Sequence, residues 1–154
     1  MTTPAHAAKA PAKKSSPDSE VNAFLDSWHQ AAAAPDEKKY FDAMASSMVF
    51  LGTDPLERWT KEEFRAYAHP HFAKGKGWEI RVMKRWVTFS ADKKTAWFDE
   101  DALSTGLGPV RGSGVLVKEK GQWKVAQYNL SVPIYNERFD EVRKINVAPA
   151  AKTH

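Results

Sequence analysis

The acidic side chains of one predicted strand are the first candidates for chemistry in this sequence. Alternating apolar and polar residues predict long antiparallel strands, joined by short turns, in the second half of the chain. Pairing these strands across their turns puts Ala102 opposite Arg111 and Leu116 opposite Val125. Because neighbours on a strand alternate between its two faces, Asp99 shares a face with the following residues: Trp97, Asp101, Gly112, Gly114, Leu116, Trp123, Val125, Gln127, Asn129 and Ser131.

This face has the composition of a small-molecule pocket. It begins with large apolar groups, passes two glycines that leave room, and ends with amides and a hydroxyl. A carboxylate between aromatic walls is poorly solvated and can act as a general acid or base. We therefore predict Asp99 as the catalytic group. In the alternative interpretation, Asp99 and Asp101 lie at the solvated end of a strand and have no catalytic role. The predicted ligand-binding residues on this face are Trp97, Gln127, Asn129 and Ser131.

The opposite face of the same strands carries a second candidate. Glu100 and Arg111 are diagonal neighbours on adjacent strands, within reach of each other's long side chains. Two interpretations stay open: a cross-strand ion pair at a dimer interface, or a catalytic acid held by an arginine. A register slip of one residue would exchange the two faces, and Glu100 would then replace Asp99 as the candidate acid.

The sequence lacks the residues that several other kinds of catalytic or binding site require. The chain has no cysteine, which excludes a thiol nucleophile and a cysteine-based zinc site. His69 and His71 flank a proline without the spacing of metal ligands, and His29 stands apart from them. Neither a phosphate-binding glycine loop nor a nucleophile elbow is present. The sequence therefore predicts no metal and no cofactor.

The positive charge lies at the two ends of the chain. The formal net charge is +4, yet residues 21–142 contain equal numbers of basic and acidic side chains. A nucleic-acid-binding domain concentrates its basic residues on the folded face that meets phosphate. We therefore expect no specific binding of nucleic acid.

Three helix starts precede the strands. They are Ser16-Pro17-Asp18, Pro35-Asp36-Glu37 and a capping box from Thr60 to Glu63. Helices followed by a run of strands predict an α+β domain with helices on one face of a curved antiparallel sheet. We place this domain at 16–146, between tails at 1–15 and 147–154 whose composition predicts disorder.

Four segments carry a family resemblance. They are VFLGTDPLERW at 49–59, AWFDE at 96–100, RGSGVL at 111–116 and QWKVAQYNLSVP at 122–133. In this order and spacing they resemble a SnoaL-like domain of the nuclear transport factor 2-like superfamily, over roughly residues 20–140. The resemblance implies a cone formed by a bent sheet, with three helices closing its mouth and commonly a homodimer through the sheet. It also implies that Trp59 lies near the mouth, where it could cover a flat ligand.

The superfamily contains isomerases, dehydratases, cyclases and non-catalytic members, so three functions stay open. The first is a dimeric domain that binds a small hydrophobic ligand in a partly apolar pocket. The second is an isomerase, dehydratase or cyclase that uses a pocket carboxylate. The third is a protein-interaction module. We expect no membrane span and a cytoplasmic location; an exported form stays open, because Ala5-His6-Ala7 resembles the end of a cleavage site.

Overall fold

The structure, a computed structural model, describes residues 16–147. The predicted tails, 1–15 and 147–154, lie outside the described residues except for Val147. The helices are α1 (Pro17–Ala33), α2 (Glu37–Asp42), α3 (Lys61–Phe72) and α4 (Phe139–Ile145), the last preceded by a 3-10 turn at Asn136–Arg138. The strands are β1 (Met44–Leu51), β2 (Arg58–Thr60), β3 (Ile80–Phe89), β4 (Thr95–Ser104), β5 (Gly108–Glu119) and β6 (Gln122–Ser131).

The first three helices begin where the sequence predicts. The side chain of Ser16 accepts a hydrogen bond from the backbone of α1, and that of Asp36 does the same for α2. Thr60 and Glu63 form the reciprocal bonds of a capping box at α3. These bonds satisfy N–H groups that the first turn of a helix leaves without partners. No helix among the described residues is long and apolar enough to cross a membrane.

The six strands form one sheet in the order β2-β1-β6-β5-β4-β3. The pairs β3–β4, β4–β5 and β5–β6 are antiparallel neighbours along the chain, as predicted. The contact between β1 and β6 is parallel, so the sheet is mixed rather than wholly antiparallel. The core lies between the helices and one face of this sheet, which confirms the α+β class.

The register between β4 and β5 differs from the predicted register by one residue. Ala102 lies opposite Val110, and Arg111 lies opposite Asp101. The turn is shorter than predicted because Ser104 already pairs with Gly108, whose φ of 74° is favourable only for glycine. A slip of one residue turns every side chain of a strand to the other face relative to its partner.

An irregularity in β6 changes the faces a second time. Leu116 pairs with Val125, as predicted, but Val115 pairs with Gln127, so Ala126 is an extra residue in its strand. The bulge puts Tyr128 on the buried face, where the regular pattern would put Gln127.

Gly112, on the buried face of β5, leaves the space in which two polar side chains meet. A Cβ at this position would lie 2.4 Å from the hydroxyl oxygen of Tyr128 and 2.8 Å from a carboxylate oxygen of Glu100. Both neighbours are buried and cannot move into solvent. The absence of a side chain at Gly112 is therefore a packing requirement.

We predict that Gly112→Ala lowers the free energy of unfolding by about 1–3 kcal/mol, because the added methyl group overpacks this space. Urea denaturation measures the change. Gly106→Ala is the matched control, since a Cβ at Gly106 meets nothing within 4 Å. Equal stability of Gly112→Ala and the wild type would contradict the packing requirement.

Candidate functional site

The carboxylate of Glu100 lies in the core and joins polar groups from three other elements. The residue is fully buried, with 0% of its surface exposed. Its Oε1 accepts hydrogen bonds from Nε2 of His29 at 2.6 Å and from the hydroxyl of Tyr128 at 3.1 Å. Its Oε2 accepts one from Nε of Arg85 at 2.8 Å. Each oxygen of the buried carboxylate is therefore satisfied.

The fold brings these four side chains together from distant parts of the chain. Arg85 on β3 lies directly opposite Glu100 on β4. Tyr128 reaches the carboxylate from β6 across Gly112, and His29 reaches it from the buried side of α1. The site therefore depends on both the strand register and the docking of the first helix.

Arg85 also ties the sheet to α1. Its Nη1 donates to the side-chain oxygen of Asn22 at 3.1 Å and to Oδ1 of Asp26 at 2.9 Å. The Arg85 side chain is only 4% exposed, and its Nη2 is buried with no hydrogen-bond partner among the described residues. One guanidinium thus fixes Glu100 and the helix that carries His29 relative to each other.

Electrostatics keep Glu100 ionised. Burial acts to raise the pKa of Glu100, but the hydrogen bond from His29 and the interactions with Arg85 outweigh burial and hold this pKa below its usual value. Burial, and then the charge of Glu100, raise the pKa of Tyr128 well above its usual value. The tyrosine therefore stays protonated and donates its hydroxyl hydrogen to the carboxylate.

The pairing with Glu100 also fixes the proton on His29. An ionised carboxylate only accepts hydrogen bonds, so Nε2 of His29 carries a proton. In the neutral ring Nδ1 then has a free lone pair, and it makes no hydrogen bond within the described part of the chain. This geometry makes Nδ1 of His29 a candidate proton acceptor.

A cavity of about 130 Å³ lies next to His29 and Tyr128. A cavity of about 150 Å³ is large enough for one benzene ring. Most of the lining consists of aromatic side chains: Trp28, Tyr40, Phe50, Trp59, Phe64, Tyr67, Trp78 and Tyr128. The other lining residues are His29, Gly52, Thr53, Glu57, Ile80 and Leu130. This composition suits a small planar or compact ligand.

The turn between β1 and β2 forms the rim of the cavity. The backbone N–H of Gly52 donates to the carbonyl of Glu57 at 2.9 Å, and the N–H of Asp54 donates to the Glu57 carboxylate at 3.2 Å. Thr53 is exposed and Glu57 half-buried, so this side of the cavity faces solvent. The turn therefore holds the carboxylate of Glu57 at the opening.

The structure puts most of the predicted site residues on the outer face of the sheet. Trp59 lines the cavity, whereas Trp97 is 48% exposed and Asp99 and Gln127 are exposed. The half-buried Asn129 and Ser131 do not line the cavity either. The predicted placement of Asp99 inside the cone is wrong because the register slip between β4 and β5 reverses the faces of β4, while the β6 bulge reverses the face of Gln127 and Asn129.

The predicted pair of Glu100 with Arg111 is also not formed. Arg111 lies on the outer face with its Nε 3.5 Å from Asp101, while the arginine bound to Glu100 is Arg85. Strict alternation predicts that Arg85 lies on the polar face of its strand, away from Ile80 and Val82. A register shift between Val82 and Lys84 turns it inward.

A signal for both bulges is present in the sequence. The apolar residues of β3 change from even to odd numbers, from Ile80 and Val82 to Val87 and Phe89. Those of β6 change from odd to even, from Trp123 and Val125 to Tyr128 and Leu130. A change of parity in an alternating strand is what one extra residue produces. For His29 the only signal is its place one residue after the apolar Trp28 on α1.

Comparisons with known structures define the class of protein. A nuclear transport factor 2-like protein of unknown function from Pseudomonas putida is 17% identical, with a TM-score of 0.64 over 77% of this chain and 88% of that one. A Novosphingobium aromaticivorans protein provisionally named scytalone dehydratase is 11% identical, with a TM-score of 0.65 over 76% and 84%. A provisionally named dehydratase of the same superfamily from Streptomyces avermitilis is 14% identical, with a TM-score of 0.64 over 78% and 100%. These similarities show the cone-like nuclear transport factor 2-like fold.

The family itself follows from the sequence. The model of the SnoaL-like domain matches residues 21–135. The chain therefore belongs to the SnoaL-like domain family, in agreement with the resemblance of its four segments. A search of curated proteins gave no significant match.

We predict that Glu100→Gln destabilises the fold by about 3–5 kcal/mol at neutral pH, because it removes the buried counter-charge of Arg85 and leaves only the exposed Asp26. The pKa of Glu100 is lowered in the folded protein, so its ionisation stabilises the fold above the unfolded pKa of about 4.5. That contribution is lost as the pH falls through the lower folded pKa. The variant should therefore approach the wild type in stability as the pH drops below about 4.5.

Urea denaturation from pH 7 to pH 3 checks this pH dependence. The control is Asp99→Asn, which removes the adjacent exposed carboxylate and should change the stability by no more than about 0.5 kcal/mol. If the two variants had the same stability profile, Glu100 would not be the ionised centre of the core.

Proposed function

We propose that this domain binds a small, mostly apolar molecule in its cavity and that His29 moves a proton to or from it. The observation that carries the proposal is the position of His29. His29 lines the cavity, its Nε2 is bound to Glu100 at 2.6 Å, and its Nδ1 is free of protein partners among the described residues. An oriented imidazole next to a ligand cavity is suited to general acid–base catalysis.

Glu100 acts through His29 in this proposal. A buried carboxylate that accepts from an imidazole N–H holds the ring in one tautomer and stabilises the imidazolium that forms when the ring takes up a proton. Arg85 and Tyr128 hold the carboxylate in place with two further bonds. Glu100 is thus a positioning residue, and Nδ1 of His29 is the atom that exchanges a proton with the ligand.

The reaction class that fits is a dehydration or an isomerisation. Nδ1 of His29 removes a proton from a carbon next to a carbonyl group, and the C–H electron pair moves into the enolate. In a dehydration the imidazolium returns the proton to a departing hydroxyl, which leaves as water; in an isomerisation it returns the proton to another carbon. Two of the similar structures carry provisional dehydratase names, which supports this class.

Deuterium exchange tests proton transfer without knowledge of the natural substrate. Cyclohexanone has a ring close in size to benzene, and its α-hydrogens exchange with D₂O when a base removes them. We expect wild-type protein to accelerate this exchange, followed by proton NMR, and His29→Gln to reduce the acceleration by about 10²-fold or more. Asp99→Asn should keep the wild-type rate.

Thermal unfolding of His29→Gln confirms that the variant is folded before its rate is compared. Binding of cyclohexanone without any acceleration by the wild type would contradict proton transfer and favour a domain that only binds its ligand. Equal rates for the wild type and His29→Gln would remove His29 from the mechanism.

We also propose that the outer face of the sheet forms a homodimer. Three large apolar side chains are exposed on β3 and β4: Met83 by 62%, Trp86 by 42% and Trp97 by 48%. Exposed apolar groups gathered on one sheet face are typical of protein interfaces. The family that the sequence resembles commonly forms homodimers through the sheet, which favours a second copy of this chain as the partner.

Sedimentation velocity at micromolar concentration tests the dimer. We expect the wild type to sediment as a dimer and Trp97→Asp to sediment as a monomer, because a charge in the centre of an apolar interface is left without solvent. Lys120→Asp, in the exposed turn between β5 and β6, is the control for a change of charge. A monomeric wild type would contradict the proposed interface.

A further inference from the structure

We infer that the ligand carries a quaternary or tertiary ammonium group, which lies between the aromatic side chains of the cavity and the carboxylate of Glu57. This inference rests on the proposed function, since it requires that the cavity holds the ligand. It adds the chemical class that the cavity selects.

The aromatic lining is the first observation. Eight of the fourteen residues around the cavity are phenylalanine, tyrosine or tryptophan. The face of an aromatic ring carries partial negative charge, and several rings around one space attract an organic cation. A purely apolar ligand would bind equally well between leucine and isoleucine side chains, which make up only two of the lining residues.

The charge of the lining is the second observation. Among the lining residues of the described chain, Glu57 has a carboxylate and none is a lysine or an arginine. The buried Glu100, which does not line the cavity, is compensated by Arg85 at 2.8 Å. The cavity therefore presents an uncompensated negative group at its opening, which disfavours an anion and favours a cation.

The turn that carries Glu57 is built to hold this carboxylate. The N–H of Asp54 donates to its Oε2 at 3.2 Å. A Cβ at Gly52 would lie 2.1 Å from the same oxygen, so only glycine permits the carboxylate to pack against the backbone here. A half-buried, fixed carboxylate interacts with a charge more strongly than a mobile one in bulk water.

Size and mechanism agree with such a ligand. A cavity of about 150 Å³ accepts a benzene ring. A trimethylammonium group is smaller than benzene, and the cavity here measures about 130 Å³. A cationic group near the reacting carbon would also stabilise the negative charge that develops when His29 removes a proton. Recognition of the cation and proton transfer therefore support each other.

Choline and 3,3-dimethylbutan-1-ol provide a matched pair of probes, because a carbon replaces the nitrogen and the shape is retained. Binding is followed by isothermal titration calorimetry and by quenching of tryptophan fluorescence. We expect choline to bind wild-type protein about tenfold more tightly than the neutral alcohol. Several cation–π contacts and one carboxylate would provide this difference in affinity.

Two variants locate the charge recognition. Glu57→Gln keeps an oxygen that can accept from Asp54 but removes the charge, so the preference for choline should fall to about threefold or less. Glu62→Gln removes an exposed carboxylate on α3 that does not line the cavity, and the preference should stay at the wild-type value.

Each outcome separates the two proposals. If the alcohol binds as tightly as choline, the ammonium inference is overturned while ligand binding in the cavity stands. If choline is preferred but Glu57→Gln does not change the preference, the role of Glu57 is overturned. If neither probe nor cyclohexanone binds, the proposed function fails as well.

Discussion

The requirement to satisfy one buried negative charge organises this domain. An ionised carboxylate is stable in a core only when donors surround it, and Glu100 obtains them from α1, β3 and β6. Arg85 faces it across the β3–β4 pair, and Gly112 leaves the space through which Tyr128 reaches it. The register shifts that turn Arg85 and Tyr128 inward are therefore conditions for the buried charge, and they fix which residues lie next to the cavity.

The elements of the fold are predictable from the sequence because their signals are local. The caps at Ser16, Asp36 and Thr60 mark three helices through bonds that span only three residues. The family segments then give the cone. The faces of the strands are not predictable from strict alternation, because one shorter turn at Gly108 and two shifts of register each reverse the parity. Each reversal is a small local change with a large effect on the predicted site.

The site was missed for the same reason. The predicted pairing of β4 with β5 puts Asp99 inside and Glu100 outside, whereas the shorter turn at Gly108 gives the opposite result. The bulge after Val125 turns Gln127 and Asn129 away from the core. His29 is separated from Glu100 by 71 positions in the chain, so its contact with the carboxylate depends on how α1 packs on the sheet. Local patterns contain no information on that packing, which is set by the whole core.

A carboxylate held by three donors is poorly suited to exchange protons itself. Glu100 is ionised, it does not line the cavity, and protonation would cost it the interactions with His29 and Arg85. In the function that we propose, the imidazole of His29 therefore takes the acid–base role that the sequence suggests for a carboxylate. His29 lines the cavity and has one unpaired ring nitrogen among the described residues. A well-packed apolar core would stabilise the fold at least as well as buried ions do. The network is thus better explained by the orientation of His29 that we propose than by the need to hold the domain together.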